Sequence, residues 1–281
     1  MKISSNINSA IFAYQTSCIR IIENVALQNG HVSFRQIRLI AYLYSAKTPQ
    51  RVSDIAKSTE QHASNVSNVS NELVLHGYVQ RVASRDDRRI VSLTLTDEGT
   101  AFFENIAHSV LKALADFHLY ALNKAISVYG TTVETYATEF QQLINMSPIR
   151  LSENIETFSL REKRLKQALA GRVSVNAYYL LLTLATTSGP LSAGYLANYL
   201  YMDKTVVSTC ISELSNKGLL TTLRSPADRR TIELGISPKG TEFIEGTLGI
   251  IDELFDTGRK YSEGVRGLLF RLAACICEPP T

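Results

Sequence analysis

The feature of this sequence that most constrains its fold is an internal repeat at a fixed offset. Adding 141 to the residue numbers converts the run Asp87-Arg88-Arg89 into Asp228-Arg229-Arg230, since 228 − 87 = 141. Between Ser33 and Phe103, 18 of 71 positions are identical to their partners at this offset, without a gap. The identities fall mainly on glycines, core leucines and clustered charges. A repeat of this length predicts two related domains in tandem rather than a solenoid.

The composition agrees with a globular chain of about two domains. Of the 281 residues, 45% are apolar and 20% are charged, and no apolar run is long enough to cross a bilayer. The N-terminal run MKISSNINSA lacks the apolar core of a secretory signal. Four cysteines are too few and too unevenly placed for a disulfide framework. We therefore expect a cytoplasmic protein without a membrane segment.

The net charge of +3 does not by itself indicate a nucleic-acid partner, because it is small for this length. Positive charge is instead concentrated in two short polar runs that occupy equivalent places in the two repeats. In the first run the basic residues are Arg81, Arg85, Arg88 and Arg89, and in the second they are Arg224, Arg229 and Arg230. A nucleic-acid partner would therefore have to bind at these two basic runs.

The apolar spacing predicts one order of elements in both repeats: a short helix, a polar turn, a longer helix and a β-hairpin. Ser33 with Gln36 forms a predicted capping box, Gly77 ends a helix, and Thr96 and Asp203 begin helices. The predicted helices of the first repeat are 7–28, 34–45, 52–58, 64–76, 97–129 and 132–146, with strands 78–82 and 90–95. Those of the second are 152–170, 175–185, 191–200, 203–217 and a pair within 238–277, with a two-stranded hairpin at 219–236.

The longer helix of the first repeat has one apolar and one polar face. Its polar face consists of short, uncharged, hydrogen-bonding side chains, namely Ser64, Asn65, Ser67, Asn68 and Asn71. Side chains of this kind reach base edges or phosphates, and Asn pairs bidentately with adenine. The face alone is equally typical of a solvated helix surface.

The order of elements is that of a winged helix-turn-helix, whose second helix enters the DNA major groove. The full motif resembles the MarR family of bacterial transcription regulators. In the first repeat it comprises Leu73, Gly77-Tyr78-Val79, Asp87-Arg88-Arg89, Leu95-Thr96 and Gly99. In the second it comprises Leu214, Gly218-Leu219-Leu220, Asp228-Arg229-Arg230, Ile236-Ser237 and Gly240. The resemblance implies a mainly α fold with small β-hairpin wings (α+β), as two tandem winged helices joined by a helical dimerisation-like region.

The resemblance also implies roles for the wing residues. Arg89 and Arg230 would insert into the minor groove, where the negative potential is enhanced, and Asp87 and Asp228 would orient them by charge-assisted bonds. A salt bridge confined to the turn is the alternative. The DNA-binding set expected in the first repeat is Ser64, Asn65, Ser67, Asn68, Asn71, Arg85, Asp87, Arg88 and Arg89. In the second repeat it is Lys204, Thr205, Ser208, Thr209, Asp228, Arg229 and Arg230.

The two recognition helices differ from the family and from each other. Asn68 and Thr209 stand where many family members carry Arg, so strong guanine readout is not expected. Lys204 corresponds to Ala63, and Thr205 to Ser64. Two unlike helices predict an asymmetric operator with two different half-sites.

Family members act as two-chain dimers, and two copies in one chain imply a covalent pseudo-dimer that works as a monomer. The predicted domains are residues 1–148 and 149–281, with winged helices at about 33–103 and 174–244. The predicted internal dimer interface consists of the helices at 7–28, 98–146, 152–170 and 238–277.

No cofactor, metal site or catalytic constellation is expected, and the chain is predicted not to be an enzyme. Cys18 is a candidate redox residue, because a branch of the family carries a reactive cysteine in its first helix; packing is the alternative role. The predicted function is a double-stranded DNA-binding transcriptional regulator, responsive to a small molecule or an oxidant. The alternative is a winged-helix protein–protein adaptor that has lost DNA binding.

Overall fold

The computed structural model describes residues 7–83, 91–129, 141, 145–187, 189–200, 202–224 and 232–256. The elements of the first repeat are α1 (Ile7–Gly30), α2 (Phe34–Ala46), β1 (Gln50–Arg51), α3 (Val52–Ser58), α4 (Ala63–Leu75), β2 (Val79–Ala83), β3 (Val91–Leu95) and α5 (Asp97–Tyr129). Those of the second are α6 (Pro148–Ala168), α7 (Val175–Thr186), β4 (Leu191–Ser192), α8 (Ala193–Tyr199), α9 (Lys204–Asn216), β5 (Leu220–Arg224), β6 (Ile232–Ile236), α10 (Pro238–Glu245) and α11 (Leu248–Asp256). The fold is mainly α with small β wings, as the sequence predicts.

The helix starts follow the capping residues identified in the sequence. Ser33 and Gln36 form a complete capping box at α2, and Gly99 N donates to Thr96 Oγ1 at 2.9 Å at the start of α5. Asp203 accepts from Thr205 N at 2.7 Å at the start of α9. These bonds satisfy amide groups that have no partner within their own helix.

Two element starts in the sequence-based assignment were wrong. Helix α6 begins at Pro148 rather than at Ser152; Ser147 Oγ accepts from Arg150 N at 3.2 Å and so starts the helix earlier. The segment predicted as a helix from Leu191 begins instead with strand β4. The predicted helix at 132–146 and the end of the predicted helix pair at 257–277 lie outside the described residues, except for Gln141, Asn145 and Met146.

Each wing belongs to a three-stranded antiparallel sheet rather than a two-stranded hairpin. The strand orders are β1-β3-β2 and β4-β6-β5. Gln50 pairs with Leu93 in the first sheet, and Leu191 pairs with Leu234 in the second, so the registers match at the repeat offset. The added strands have two residues each, which is too short to show an alternating pattern in the sequence.

The chain divides into two compact units, and neither is one half of the sequence. The first unit consists of the described residues of Ile21–Ala115 and Asn145–Leu160. The second unit consists of the other described residues, drawn from Met1–Arg20, Asp116–Ile144 and Arg161–Thr281. Helices α1, α5 and α6 therefore each have one part in each unit.

In the first unit, α4 packs on α2 and α3, and all three helices contact strands of the first sheet. Ile37, Ile55, Leu73 and Leu93 from these elements are each at most 1% exposed. The first part of α6 also belongs to this unit and buries Leu151.

In the second unit, α9 packs on α7 and α8, and α10 packs on α7. The first part of α1 belongs to this unit. Its Tyr14 hydroxyl forms a hydrogen bond with Nδ1 of His118 from α5, and both side chains are buried. Within the part of the chain that the structure describes, no helix is long and apolar enough to cross a membrane.

Candidate nucleic-acid interface

The recognition helix of the first repeat, α4, presents the polar face that its sequence indicates. Ser64, Asn65, Asn68 and Asn71 are exposed and Ser67 is half-buried. The buried side is formed by Val66, Ser70 and Leu73.

Ser70 is buried on this side of α4, whereas its apolar neighbour Val69 is half-buried. Its hydroxyl is satisfied by the carbonyl of Ser67 at 2.8 Å, within the helix itself. A serine that bonds its own helix can be buried without an unpaired polar group.

The recognition helix of the second repeat, α9, exposes the predicted residues Lys204, Thr205, Ser208 and Thr209. The Thr205 hydroxyl donates to Asp203 at 2.6 Å, and the Thr209 hydroxyl donates to the carbonyl of Thr205 at 2.9 Å. The bonds from Thr205 lower the pKa of Asp203 below its usual value. The carboxylate at the start of α9 is therefore ionised at neutral pH, whereas His62 precedes α4 and makes no side-chain capping bond.

Asn71 is exposed and also contacts the first wing strand. Its side-chain oxygen accepts a hydrogen bond from Arg81 on β2, which connects the recognition helix to the wing strand. The positions equivalent to Asn71 and Arg81 are Ser212 and Thr222, so the second repeat lacks this pair of residues.

Two glutamates that the sequence-based set omits connect the recognition helices to the starts of α2 and α7. Glu72 accepts from Gln36 Nε2 at 3.0 Å. Glu213 accepts from both the backbone N–H and the hydroxyl of Ser174, each at 2.7 Å. The sequence signal for this role is that the glutamate is identical in both repeats.

Glycines set the geometry at the base of each wing. Gly77 and Gly218 have φ of +76° and +69°, a conformation that favours glycine. A Cβ at Gly99 would lie 2.0 Å from the carbonyl oxygen of Tyr78, and one at Gly240 would lie 2.2 Å from that of Leu219. The start of the following helix is thus in direct backbone contact with the start of the wing.

The wing-tip residues Arg85, Asp87, Arg88, Arg89, Asp228, Arg229 and Arg230 lie outside the described residues. Their roles therefore remain predictions.

Among the described cations, Arg51 and Lys57 are exposed at the two ends of α3, where the second repeat has Ser192 and Asn198.

The environment of Cys18 does not favour a reactive thiolate. Its side chain is 8% exposed, and burial raises the pKa of the thiol to about 12. A thiol reacts with oxidants mainly as the thiolate, which this pKa suppresses at neutral pH. Burial also raises the pKa of Cys210 to about 11. Among the described residues no cluster of three or more His, Cys, Asp or Glu side chains could hold a metal ion.

Comparison with protein families decides what these winged helices are. A family model of the MarR family matches residues 32–90 and again residues 173–231. Each half of the chain carries a MarR-family winged helix. The two matched MarR segments are separated by the repeat offset, since 173 − 32 = 141 and 231 − 90 = 141.

Solved structures of MarR-type regulators resemble the chain in part. BpsR from Bordetella bronchiseptica, described with the regulation of its DNA binding by 6-hydroxynicotinic acid, is 19% identical over 36% of this chain and 72% of its own, with a TM-score of 0.34. MepR from S. aureus, as a mutant bound to an oligodeoxyribonucleotide, is 22% identical over 36% of this chain and 72% of its own, with a TM-score of 0.31. BldR from Sulfolobus solfataricus is 24% identical over 39% of this chain and 78% of its own, with a TM-score of 0.32. A comparison with curated protein sequences gave no match.

Proposed function

We propose that this MarR-family chain is a sequence-specific double-stranded DNA-binding transcription regulator that acts in the cytoplasm. The observation that carries the proposal is the presence of two winged helices, each with an exposed recognition face among the described residues. The face of α4 consists of Ser64, Asn65, Ser67, Asn68 and Asn71, and the face of α9 consists of Lys204, Thr205, Ser208 and Thr209. Arg89 and Arg230 at the wing tips complete the proposed interface, with Arg85, Asp87, Arg88, Asp228 and Arg229 beside them.

The proposal includes an intramolecular pairing of the two repeats. The start of α1, from the first repeat, belongs to the unit of the second winged helix. The start of α6, from the second repeat, belongs to the unit of the first winged helix. This reciprocal exchange is what a two-fold dimer would produce if its two subunits were fused in one chain.

The operator in this proposal is asymmetric. Asn68 on α4 corresponds to Thr209 on α9, and Ala63 corresponds to Lys204, so the two helices present different donors and acceptors. A mismatched base pair costs about 1–3 kcal/mol, which is enough to give each helix its own half-site. The half-sites would lie about one helical turn apart.

The test is selection of duplexes from a random pool by the purified chain, followed by sequencing. We expect two unlike half-sites in a fixed order. Asn68→Ala should relax selectivity in one half-site and Lys204→Ala in the other. Arg89→Ala with Arg230→Ala should weaken binding and reduce its salt dependence. Failure to enrich any duplex would favour the protein–protein adaptor, and a perfect palindrome would exclude the asymmetric operator.

The proposal also includes a response to a small molecule, with an oxidant less favoured because the Cys18 thiol is buried. Two arginines of the second unit lie at the helices that exchange between repeats. Arg161 is 5% exposed and donates to Gln15 Oε1 at 3.0 Å, and Arg20 donates to the side chain of Asn176. A small carboxylic acid would find positive charge there. Titration with such acids should raise the melting temperature of the wild-type chain by mass action and not that of Arg161→Gln.

A further inference from the structure

Arg38 on α2 joins three elements of the first unit. Its Nε and Nη2 donate to the two carboxylate oxygens of Glu156 on α6, at 2.9 and 2.6 Å. Nη2 also donates to the backbone carbonyl of Thr59, at 2.8 Å. The two charged side chains are 14% and 20% exposed, so water screens the pair only in part.

The carbonyl that Arg38 bonds lies in the turn leading to the recognition helix. Thr59 is the C-cap of α3 and is 1% exposed. Carbonyls at a helix end have no partner within the helix and need a donor from elsewhere when buried. Arg38 is that donor.

The turn is built around Thr59. Its hydroxyl donates to the carbonyl of Ile55 at 2.7 Å and accepts from Gln61 Nε2 at 3.0 Å. Glu60 takes a left-handed conformation with φ of +50°, which a non-glycine residue adopts only when its surroundings fix it. A shift of Thr59 would therefore move the start of α4, which follows at Ala63.

We propose that Arg38 and Glu156 are a positioning pair, through which α6 of the second repeat holds the recognition helix of the first. This inference rests on the DNA binding proposed above. Arginine suits the role because its planar guanidinium bonds both carboxylate oxygens and still donates to a third acceptor, whereas lysine offers one compact charge. Loss of the pair loosens the turn and lowers affinity at the α4 half-site alone.

The second repeat uses a different and weaker connection. Tyr179 and Leu200 stand at the positions equivalent to Arg38 and Thr59. In that repeat the carbonyl of Tyr199, the last residue of α8 and one position before Leu200, accepts from the hydroxyl of Ser17 on α1, at 3.4 Å. Charge-assisted hydrogen bonds are about twice as strong as neutral ones, so the bond between Ser17 and Tyr199 is weaker than those between Arg38 and Glu156. The pair therefore acts on one half of the protein.

Hydrogen exchange tests the positioning pair without DNA. The variants are Arg38→Met, which keeps the aliphatic stem, Arg38→Lys, which keeps a charge, and Glu156→Gln, with Glu153→Gln on the exposed side of α6 as the matched control. We expect faster amide exchange in residues 59–66 for Arg38→Met, a smaller increase for Arg38→Lys and Glu156→Gln, and none for Glu153→Gln. The turn after α8 should keep its wild-type exchange. Unchanged exchange at 59–66, or an equal increase in both turns, overturns the proposal.

The DNA arm uses duplexes that the wild-type chain selects from a random pool, each with one half-site scrambled. Arg38→Met should weaken binding about tenfold where the α4 half-site is intact and leave the α9 half-site unchanged. Equal weakening at both half-sites indicates general destabilisation and overturns the proposal. If the wild-type chain selects no duplex, the proposed function fails, while the exchange measurement still decides the positioning pair. Arg38→Lys supplies the same readouts if Arg38→Met does not fold.

Discussion

At Gly99 and Gly240 the first turn of a helix lies against the backbone that begins a wing strand. The carbonyl oxygens of Tyr78 and Leu219 occupy the space that a Cβ would need. The two glycines recur at the repeat offset because any side chain at either position would separate the wing from the helix behind it. A backbone carbonyl cannot rotate away as a flexible side chain can, so the requirement is strict.

Gly240→Ala should destabilise the chain by about 1–3 kcal/mol, the usual cost of overpacking. Gly249→Ala is the control, since Gly249 also lies in a helix and has nothing within 4 Å of its would-be Cβ. That change should be neutral or stabilise by up to about 1 kcal/mol, because alanine favours helix. Urea unfolding of the two variants measures the difference. Equal stabilities would show that the wing can move away from α10 at no cost.

His118 gives the second unit a pH dependence. Burial lowers the pKa of this imidazole to about 4, while in the unfolded chain it titrates near its ordinary value of 6.5. The neutral form is therefore the native form, and it shares a hydrogen bond with Tyr14. The stabilisation is complete above pH 6.5 and is lost as the pH falls toward 4, because the unfolded state then binds the proton more tightly.

Between pH 6.5 and 4 the unfolding free energy should fall by up to about 1.4 kcal/mol per pH unit through this group. His118→Gln should flatten that part of the curve, whereas His108→Gln, on an exposed position of the same helix, should not. Urea midpoints recorded at several pH values provide the measurement. A wild-type slope retained in His118→Gln would assign the acid sensitivity to other groups.

At the scale of elements, the two repeats cap equivalent helices with different residues. In the first repeat Gln36 Oε1 accepts from Ser33 N at 2.8 Å, which closes the cap within α2. The second repeat has Ala177 at the position of Gln36, and Glu213 from the recognition helix accepts from Ser174 instead. The cap at the start of α7 therefore includes a residue of α9, whereas the capping box at the start of α2 is formed within α2 and its own N-cap residue.

Glu213→Ala should therefore cost more stability than Glu72→Ala. Glu213→Ala removes the acceptor of both hydrogen bonds that Ser174 donates at the start of α7, and we expect a loss of about 1–2 kcal/mol of stability. Glu72→Ala removes one exposed side-chain bond and should cost about 0.5 kcal/mol, because the Ser33–Gln36 box remains. Thermal unfolding of the two single variants compares them directly. A larger loss for Glu72→Ala would mean that the caps are not what the glutamates stabilise.

At the scale of the whole molecule, each compact unit needs residues from both repeats. The first unit includes Asn145–Leu160, a segment that crosses the predicted domain boundary at residue 148. The second unit includes the start of α1. The boundary at residue 148 remains a prediction for the repeats of the sequence. It is not a boundary between the two compact units.

A protease site inserted between Asn145 and Ser147 should therefore be cleaved without separating the two pieces. We expect the nicked chain to elute as one species in size exclusion, with the mass of one chain by light scattering, because exchanged helices hold each unit together. An uncut chain carried through the same column is the reference. Two separately folded pieces would indicate independent domains, and a stable species of two chains would indicate further assembly in place of the proposed intramolecular pair.

The sequence by itself determined the local features of this protein. The repeat offset, the Ser33–Gln36 box, the Asp203 cap and the helix-ending Gly77, with Gly218 as its counterpart in the second repeat, could all be read from it. The box, the cap and the glycines each depend on backbone sterics and hydrogen bonds within about four residues, so their signal lies in a short window. The repeat offset came instead from comparing the two halves of the chain. The MarR resemblance followed from the order of these short signals and was confirmed by the family match.

The tertiary structure decided which distant residues meet. Arg38 bonds Glu156 across 118 positions of sequence, and nothing in the spacing of either residue indicates the pair. The buried side of α4, with Ser70 inside, and the two-residue strands β1 and β4 are likewise invisible to periodicity. The physical reason is that burial and long-range pairing are set by how the elements pack, whereas the sequence pattern reports only which face of one element is apolar.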